Sequence, residues 1–385
     1  MLKGLKKKIK IGLFALIIIL VIMIILLFFK LDKSKEKVKK EKKDAIITKV
    51  MTTQKPVSNK LSMVLAGDCL IHRFVYTDAL NQDGTYSFSK MFTEIEDIIK
   101  DKDIAYYNQE SNIGGKSLGL SAYPLFNSPE EIGDDMVKLG FNMVSLANNH
   151  TLDRGEKGVI NSVNFWKTKP GVYYSGQALS WEERESNIKI LEKNGIKYAF
   201  FSYTTITNGL NPPTGKEYLT NVYSEQKVKE DIEKVRGKVD LIIVAMHWGE
   251  EYTTYPSVGQ KSIARFLANE GVNLVVGNHA HSLQPIEMID DTLVFYALGN
   301  FISAQDTNDR LTGSIVTLNA NKDESGKITF SDIKADLIYT YFKGSSNFKI
   351  YPYTKLNNSI LYNYESYYNK YKSVLTRYTD IIEVK

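Results

Sequence analysis

The apolar positions of this chain fall into short blocks whose spacing alternates between strand and helix, with polar breaks between them. Leu61 to Ala66 is an apolar strand that runs into Gly67-Asp68. Phe88, Met91, Phe92, Ile95, Ile98 and Ile99 recur at helical spacing and predict a helix over 88–100. Ile104 to Tyr107 reads as a strand ending in Asn108-Gln109-Glu110. Ser128-Pro129 stands where a helix opens, and the apolar spacing carries that helix to Leu139. Phe141 to Leu146 is a buried strand that breaks at Asn148-Asn149-His150 and restarts as a helix over 156–166.

Two alternating runs, 187–193 and 196–203, flank Asn194-Gly195, the signature of a type I′ hairpin turn. Residues 208–215 form a loop, and 224–236 an amphipathic helix. Asp240 to Ala245 is a buried strand ending in Met246-His247-Trp248-Gly249-Glu250. A helix over 258–269 leads to a strand over 272–276 that ends in Gly277-Asn278-His279-Ala280-His281. A second hairpin about Asp290-Asp291 spans 286–301, and strands follow near 313–319 and 328–341. Strands alternate with helices first and hairpins come later, which is an α/β pattern with mixed sheets.

Ahead of this lies Ile11 to Phe29, 19 residues without a charge. At about 1.5 Å rise per residue the run crosses a hydrocarbon core of roughly 30 Å. It is long for the core of a cleavable signal peptide, about 7–15 residues, and no small-x-small site follows. The expectation is a retained single-pass anchor. Five Lys precede it and eight follow between Lys30 and Lys43, so the positive-inside count does not set its direction. A long C-terminal domain is translocated despite such flanks, which favours an extracytoplasmic domain. The chain therefore divides into a basic segment over 1–10, the anchor over 11–29, a Lys-rich linker over 30–60, a domain over 61–345 and a Tyr-rich extension over 346–385.

The anchor also corrects the meaning of the charge. The first 43 residues hold 13 Lys, no Arg and 3 acids, leaving 36 basic and 41 acidic residues in the remainder. The folded part is mildly acidic, which argues against a nucleic-acid-binding surface. One cysteine, Cys69, permits no intramolecular disulfide; beside Asp68 it reads as a small buried hydrophobe. A cysteine-poor domain outside the cytoplasm fits a bacterial setting.

The chemistry sits at strand ends. Of five histidines, His150, His247, His279 and His281 lie at or just beyond a strand end, and His72 follows Asp68 by four residues. The carboxyl edge of a sheet is where α/β proteins hold ligands. His279 and His281 offer two imidazoles, Asp68 and Glu110 hard carboxylates, and Asn149 an amide oxygen. Such a mixed N/O set suits one or two divalent ions, Zn, Mn or Fe. Two metals about 3.5–4 Å apart polarise a phosphoryl group and generate a bound hydroxide. Other readings stay open for single residues. Asp68 could cap or turn, Asp153 could cap the helix that follows it, and Glu250 could either orient His247 or face solvent. Gly299 and Asn300 suit a tight turn.

Gly67-Asp68, Asn108-Gln-Glu110, Ala147-Asn-Asn-His-Thr-Leu-Asp-Arg-Gly155, His247-Trp-Gly-Glu250, Gly277-Asn-His-Ala-His281 and Leu298-Gly-Asn-Phe301 follow one another in order over 61–305. Together they resemble the motifs of the CapA (PgsA-type) capsule-synthesis family, which is related to the calcineurin-like metallophosphoesterases. The resemblance implies a four-layer α/β/β/α sandwich with metals at the strand ends. It implies Asp68, Glu110, Asn149, His247, His279 and His281 as metal ligands, and His150 as the catalytic group beside the leaving oxygen, acting as general acid or transition-state donor. His72, Asp153 and Glu250 would support them from behind. The pattern departs in two places. The aspartate-x-histidine opening of the phosphoesterases becomes Asp68-Cys69-Leu70, with His72 too far along for the same geometry, and Asn278 stands where the family usually has a further His.

The resemblance further implies a membrane-anchored partner in making or exporting poly-γ-glutamate capsule, working with other membrane subunits of a synthase complex on a polyglutamate or phosphorylated substrate. Two alternatives are a non-catalytic assembly factor on the same fold and an anchored phosphoesterase unrelated to capsule.

Overall fold

The computed structural model describes residues 2–53 and 59–385, in two units, Met1–Val57 and Ser58–Lys385. The first unit is one helix, Leu2–Thr53. Its stretch Ile9–Lys43 contains a span long and apolar enough to cross a membrane. The apolar side chains from Ile11 to Phe29 are all exposed, an arrangement suited to lipid as solvent. The Lys-rich stretch lacks apolar periodicity, yet the helix continues through it. Periodicity reports a buried face, and this helix buries none among the described residues. Lys and Glu form helices well, and Glu36 and Lys40 are spaced to pair one turn apart. Residues 54–58 of the proposed linker lie outside the described residues.

In the second unit the chain first lays down four parallel strands, β1 (Lys60–Cys69), β2 (Ile104–Gln109), β3 (Met143–Ser145) and β4 (Tyr173–Ser175). It then builds a second sheet from β5 (Leu191–Lys193), β6 (Ile196–Thr204), β7 (Leu241–His247), β8 (Leu274–Asn278), β9 (Ile286–Ile289) and β10 (Thr292–Phe295). Last, β11 (Asn300–Ile302), β12 (Thr312–Lys322), β13 (Ile328–Lys343), β14 (Ser346–Pro352) and β15 (Glu383–Val384) return to the first sheet. The first sheet runs β14-β13-β12-β1-β2-β3-β4, with β11 beside the end of β1 and β15 beside β13. The second runs β5-β6-β7-β8-β10-β9. Residues 346–385, the Tyr-rich stretch, thus supply an edge strand and the helix Tyr364–Leu375 to the same unit.

Three buried clusters define the layers. Met63, Leu65, Tyr106 and Met143 of the first sheet pack against Phe200, Ile243, Leu274 and Val276 of the second. The opposite face of the first sheet, Val64, Ala105, Tyr107 and Val144, packs on Ile132, Met136, Val159 and Val163 of the helices Glu131–Leu139 and Gly155–Lys167. The outer face of the second sheet, Phe201, Val244 and Val275, packs on Val228, Ile232, Ala264 and Leu267 of Glu225–Val235 and Val258–Asn269. Each Val, Leu, Ile, Phe or Met among them contributes roughly 1.5–3 kcal/mol by leaving water. The result is the expected four-layer α/β/β/α sandwich.

Several local expectations change in the fold. The helix expected over 88–100 becomes a turn at Ser89–Met91 and one short helix, Glu96–Ile99, although Phe88, Met91, Phe92, Ile95 and Ile99 are buried as a helical face would be. Ser128 does not cap the next helix; its hydroxyl donates to Ser111 Oγ at 2.9 Å, and Glu130 occupies the cap position. The 286–301 hairpin ends at Phe295. The following segment turns at Leu298-Gly299 and crosses to pair Asn300 with Asp68 in the other sheet. That crossing needs glycine. A Cβ on Gly67 would stand 1.8 Å from Gly299 O, and Gly299 itself has φ +71.

Candidate metal centre

The parallel strands β1, β2, β3, β7 and β8 all end at one edge, and each presents polar residues there. The two sheets meet at this edge through polar bonds. Asn108 Nδ2 donates to Asp68 Oδ1 at 2.8 Å and lies 3.4 Å from His247 Nδ1 of the other sheet. The His279 N–H donates to Asp68 Oδ2 at 3.1 Å, Asn278 Nδ2 donates to the Tyr106 hydroxyl at 2.8 Å, and the Ser145 and Ser202 hydroxyls lie 2.7 Å apart.

Within this edge Glu110, His247 and His279 form one cluster, and Asp68, Glu110 and His281 a second that shares Glu110. Glu110 Oε1 lies 3.6 Å from His247 Nε2 and 3.5 Å from His281 Nε2. His247 Nε2 stands 3.1 Å from His279 Nδ1 and 2.9 Å from Asn149 Oδ1. His281 Nδ1 is 3.5 Å from Asp68 Oδ2 and 2.9 Å from Asn300 Oδ1. All six residues expected as ligands are buried and brought together.

The donor set fits a divalent ion. Glu110 is fully buried, and neither of its oxygens has a hydrogen-bond partner among the described residues. A buried carboxylate left this way is costly unless a cation faces it. Atoms bound to one ion at about 2.0–2.2 Å lie roughly 3 Å from each other, which is the spacing of His247 Nε2 from His279 Nδ1 and from Asn149 Oδ1.

The protonation pattern agrees at two of the rings. Burial, then the neighbouring imidazoles, pushes His247 well below its ordinary value, and burial with His281 brings His279 down to about 4. Both rings are neutral near pH 7, as metal ligands are. Burial, reinforced by Asp68 and opposed by His281, lifts Glu110 well above the carboxylate range. At His281 burial disfavours the charge, but Glu110 and Asp68 outweigh it and raise the ring to about 9. The backbone carries strain here too: His279 and His281 sit at φ +91 and +49. Such conformations cost free energy and cluster at functional sites.

The remaining expected residues divide. His150 Nδ1 lies 2.7 Å from Asp153 Oδ2, which also accepts from the Phe126 N–H at 2.7 Å. Asp153 therefore does not cap the next helix, whose cap position is Arg154 without a side-chain bond. The Phe126 ring packs edge-on to His150 at 4.7 Å and to His72 at 5.3 Å. His72 Nδ1 contacts the Leu70 carbonyl at 3.1 Å and the Ala304 N–H at 3.2 Å, so it braces the wall of the site. Glu250 is exposed and makes no hydrogen bond to His247 among the described residues, because Gly249 at φ +91 turns the chain outward. The residue beside the back of the His247 ring is Asn108.

Asn300 is the larger correction. It serves no simple turn: its oxygen faces His281, while its amide nitrogen donates to the Arg310 carbonyl at 2.7 Å and to Gln305 Oε1 at 2.8 Å. The sequence marks Asn108 and Asn300 only by their places at strand ends and within the family-like motifs, and neither has charge or imidazole to give it a role.

Residues 62–305 match the family described as "Bacterial capsule synthesis protein PGA_cap". The chain is 28% identical over 262 residues to a Bacillus anthracis protein named capsule biosynthesis protein CapA, spanning 64% of this chain and 61% of that one. It is 25% identical over 283 residues to the Bacillus subtilis PGA biosynthesis protein CapA, spanning 71% of each. This chain thus spans about three-fifths of the length of the B. anthracis relative. Among solved structures the Haemophilus influenzae NAD nucleotidase aligns with 85% of this chain and 57% of its own, at 11% identity and a TM-score of 0.42, too low to bear an argument. The family match covers well over half of the sequence, and the chain belongs to the bacterial capsule synthesis protein family PGA_cap.

Proposed function

We propose that this chain is an anchored capsule-synthesis protein whose Ser58–Lys385 unit lies outside the membrane and acts as a metal-dependent hydrolase on a phosphorylated or polyglutamyl substrate. The observation that carries the reading is Glu110, buried between His247 and His281 with no hydrogen-bond partner for either oxygen among the described residues. Asp68, Glu110, Asn149, His247, His279 and His281 would hold one or two divalent ions, with Glu110 common to both clusters. A bound ion supplies a Lewis acid and a hydroxide near neutral pH.

The chain's own groups do the rest. Asp153 holds His150 by Nδ1, which leaves Nε2 to hand a proton to the leaving oxygen. Phe126 and His72 wall that side from water. Partners are other membrane subunits of a capsule polymer synthase or export complex, by likeness to the CapA proteins.

The test is elemental analysis of the full chain in detergent, beside a His279→Ala/His281→Ala double variant. One or two transition-metal equivalents, lost in the variant, support the reading. A folded chain that stays metal-free after loading with Mn or Zn overturns it. A second reading, an assembly factor that binds metal without turnover, is favoured by buried Leu70, which replaces the histidine of the phosphoesterase opening. Metal bound with no phosphoester turnover, and capsule lost on Asp68→Ala, would select it.

A further inference from the structure

We propose that Arg310, held flat by Tyr252, binds a second anionic group of the substrate, so that the site takes phosphoesters whose leaving group carries a carboxylate or phosphate. This rests on the phosphoester reading above and narrows its substrate class.

Tyr252 lies beside the candidate centre, its ring 6.0 Å from that of His281. It is strained, at φ +66 in a region bulky residues avoid. Three contacts hold it there. Its N–H donates to the Ala280 carbonyl at 2.7 Å, between the two strand-end histidines. Gln305 Nε2 donates to its hydroxyl at 3.4 Å, and the Arg310 guanidinium stacks over its ring at 3.6 Å. The backbone of Arg310 is bolted to the same network, since its carbonyl accepts from Asn300, the residue that faces His281. The same bonds that orient a proposed ligand therefore place the arginine.

That arginine is underused. Its one side-chain hydrogen bond among the described residues goes to Asp306 Oδ1 at 2.8 Å. The Asp306 side chain is 79% exposed, so the pair is a weak surface contact that an incoming anion can replace. Stacking fixes the guanidinium plane, and a fixed fork with free N–H donors matches a carboxylate or phosphate in a bidentate pair. A neutral leaving group would leave those donors without use.

Two small esters of similar size separate the outcomes: 2-phosphoglycolate, which carries a carboxylate, and ethyl phosphate, which does not. Their binding to the manganese-loaded full chain is measured by calorimetry. The wild type is expected to favour phosphoglycolate by about tenfold or more. Arg310→Gln should bring that ratio close to one, and Arg310→Lys should restore part of it. A wild-type ratio near one, or a ratio that survives Arg310→Gln, overturns the assignment while leaving the phosphoester reading intact. Failure of both esters to bind the loaded wild type overturns both.

Discussion

Asn300 and His281 face each other oxygen to nitrogen at 2.9 Å, one from a strand of the first sheet and the other from the loop after the central strand of the second. The Asn300 amide cannot turn, because its nitrogen is committed to Arg310 and Gln305. Its oxygen therefore accepts from His281 Nδ1–H, and the neutral ring is left with its lone pair at Nε2, towards Glu110. One amide thus selects the tautomer that a metal site requires. Replacing it by alanine is expected to weaken metal binding about 10–100-fold. Competition with a chromogenic chelator measures this, and an unchanged affinity would show that the bond does not orient the ring.

Metal and proton compete for His281. Without metal the ring keeps its proton up to about pH 9, since Glu110 and Asp68 outweigh the effect of burial. Binding must expel that proton and the one that burial favours on Glu110, so affinity rises with pH by up to about tenfold per unit for each proton lost, and the His281 part levels off above the ring's own value. Calorimetry in two buffers of different ionisation enthalpy should detect proton release that shrinks as pH rises. Equal heats in both buffers at neutral pH would contradict it.

Asp153→Asn separates proton transfer from metal binding. The variant should keep its metal, because the Asp153 side chain hydrogen-bonds only to His150 and the Phe126 N–H among the described residues. Turnover of a phosphoester should fall about 100-fold or more, with the loss in kcat. Metal loss in parallel with activity would instead give Asp153 a role in holding the site together.

Gly67→Ala probes the crossing between sheets. The added carbon would meet the Gly299 carbonyl oxygen at 1.8 Å, and backbone on both sides leaves no room to relax. The expected cost is about 3 kcal/mol or more, read as a lower denaturant midpoint, with metal affinity falling because Asp68 follows directly. A midpoint equal to wild type would mean that the Gly299 turn can move away.

The strand ends and their histidines were legible because they depend on local period and on where an apolar run stops, whereas the layer order followed from the family resemblance. Asp68, Glu110, Asn149, His247, His279 and His281 each close such a run or stand just past it, and sheet geometry then leaves them one common edge. The supporting partners depend on contacts between distant segments. Asn300 looked like a turn residue because nothing near it in the chain shows that it crosses to the other sheet and meets His281. Asp153 has a helix after it and a histidine three residues before it, and only the folded turn shows that it serves the histidine. Glu250 stands near His247 in the chain and could have oriented it, but the turn at Gly249 sends it into solvent, and the strand register brings in Asn108 instead. Sequence alone determined the long apolar N-terminal segment, the α/β alternation and the residues able to hold a metal, since hydrophobic period and side-chain chemistry are local properties. The tertiary structure decided which atoms meet, which ring nitrogen is free and where Arg310 lies, since those follow from the packing of two sheets whose contacting residues are far apart in the chain.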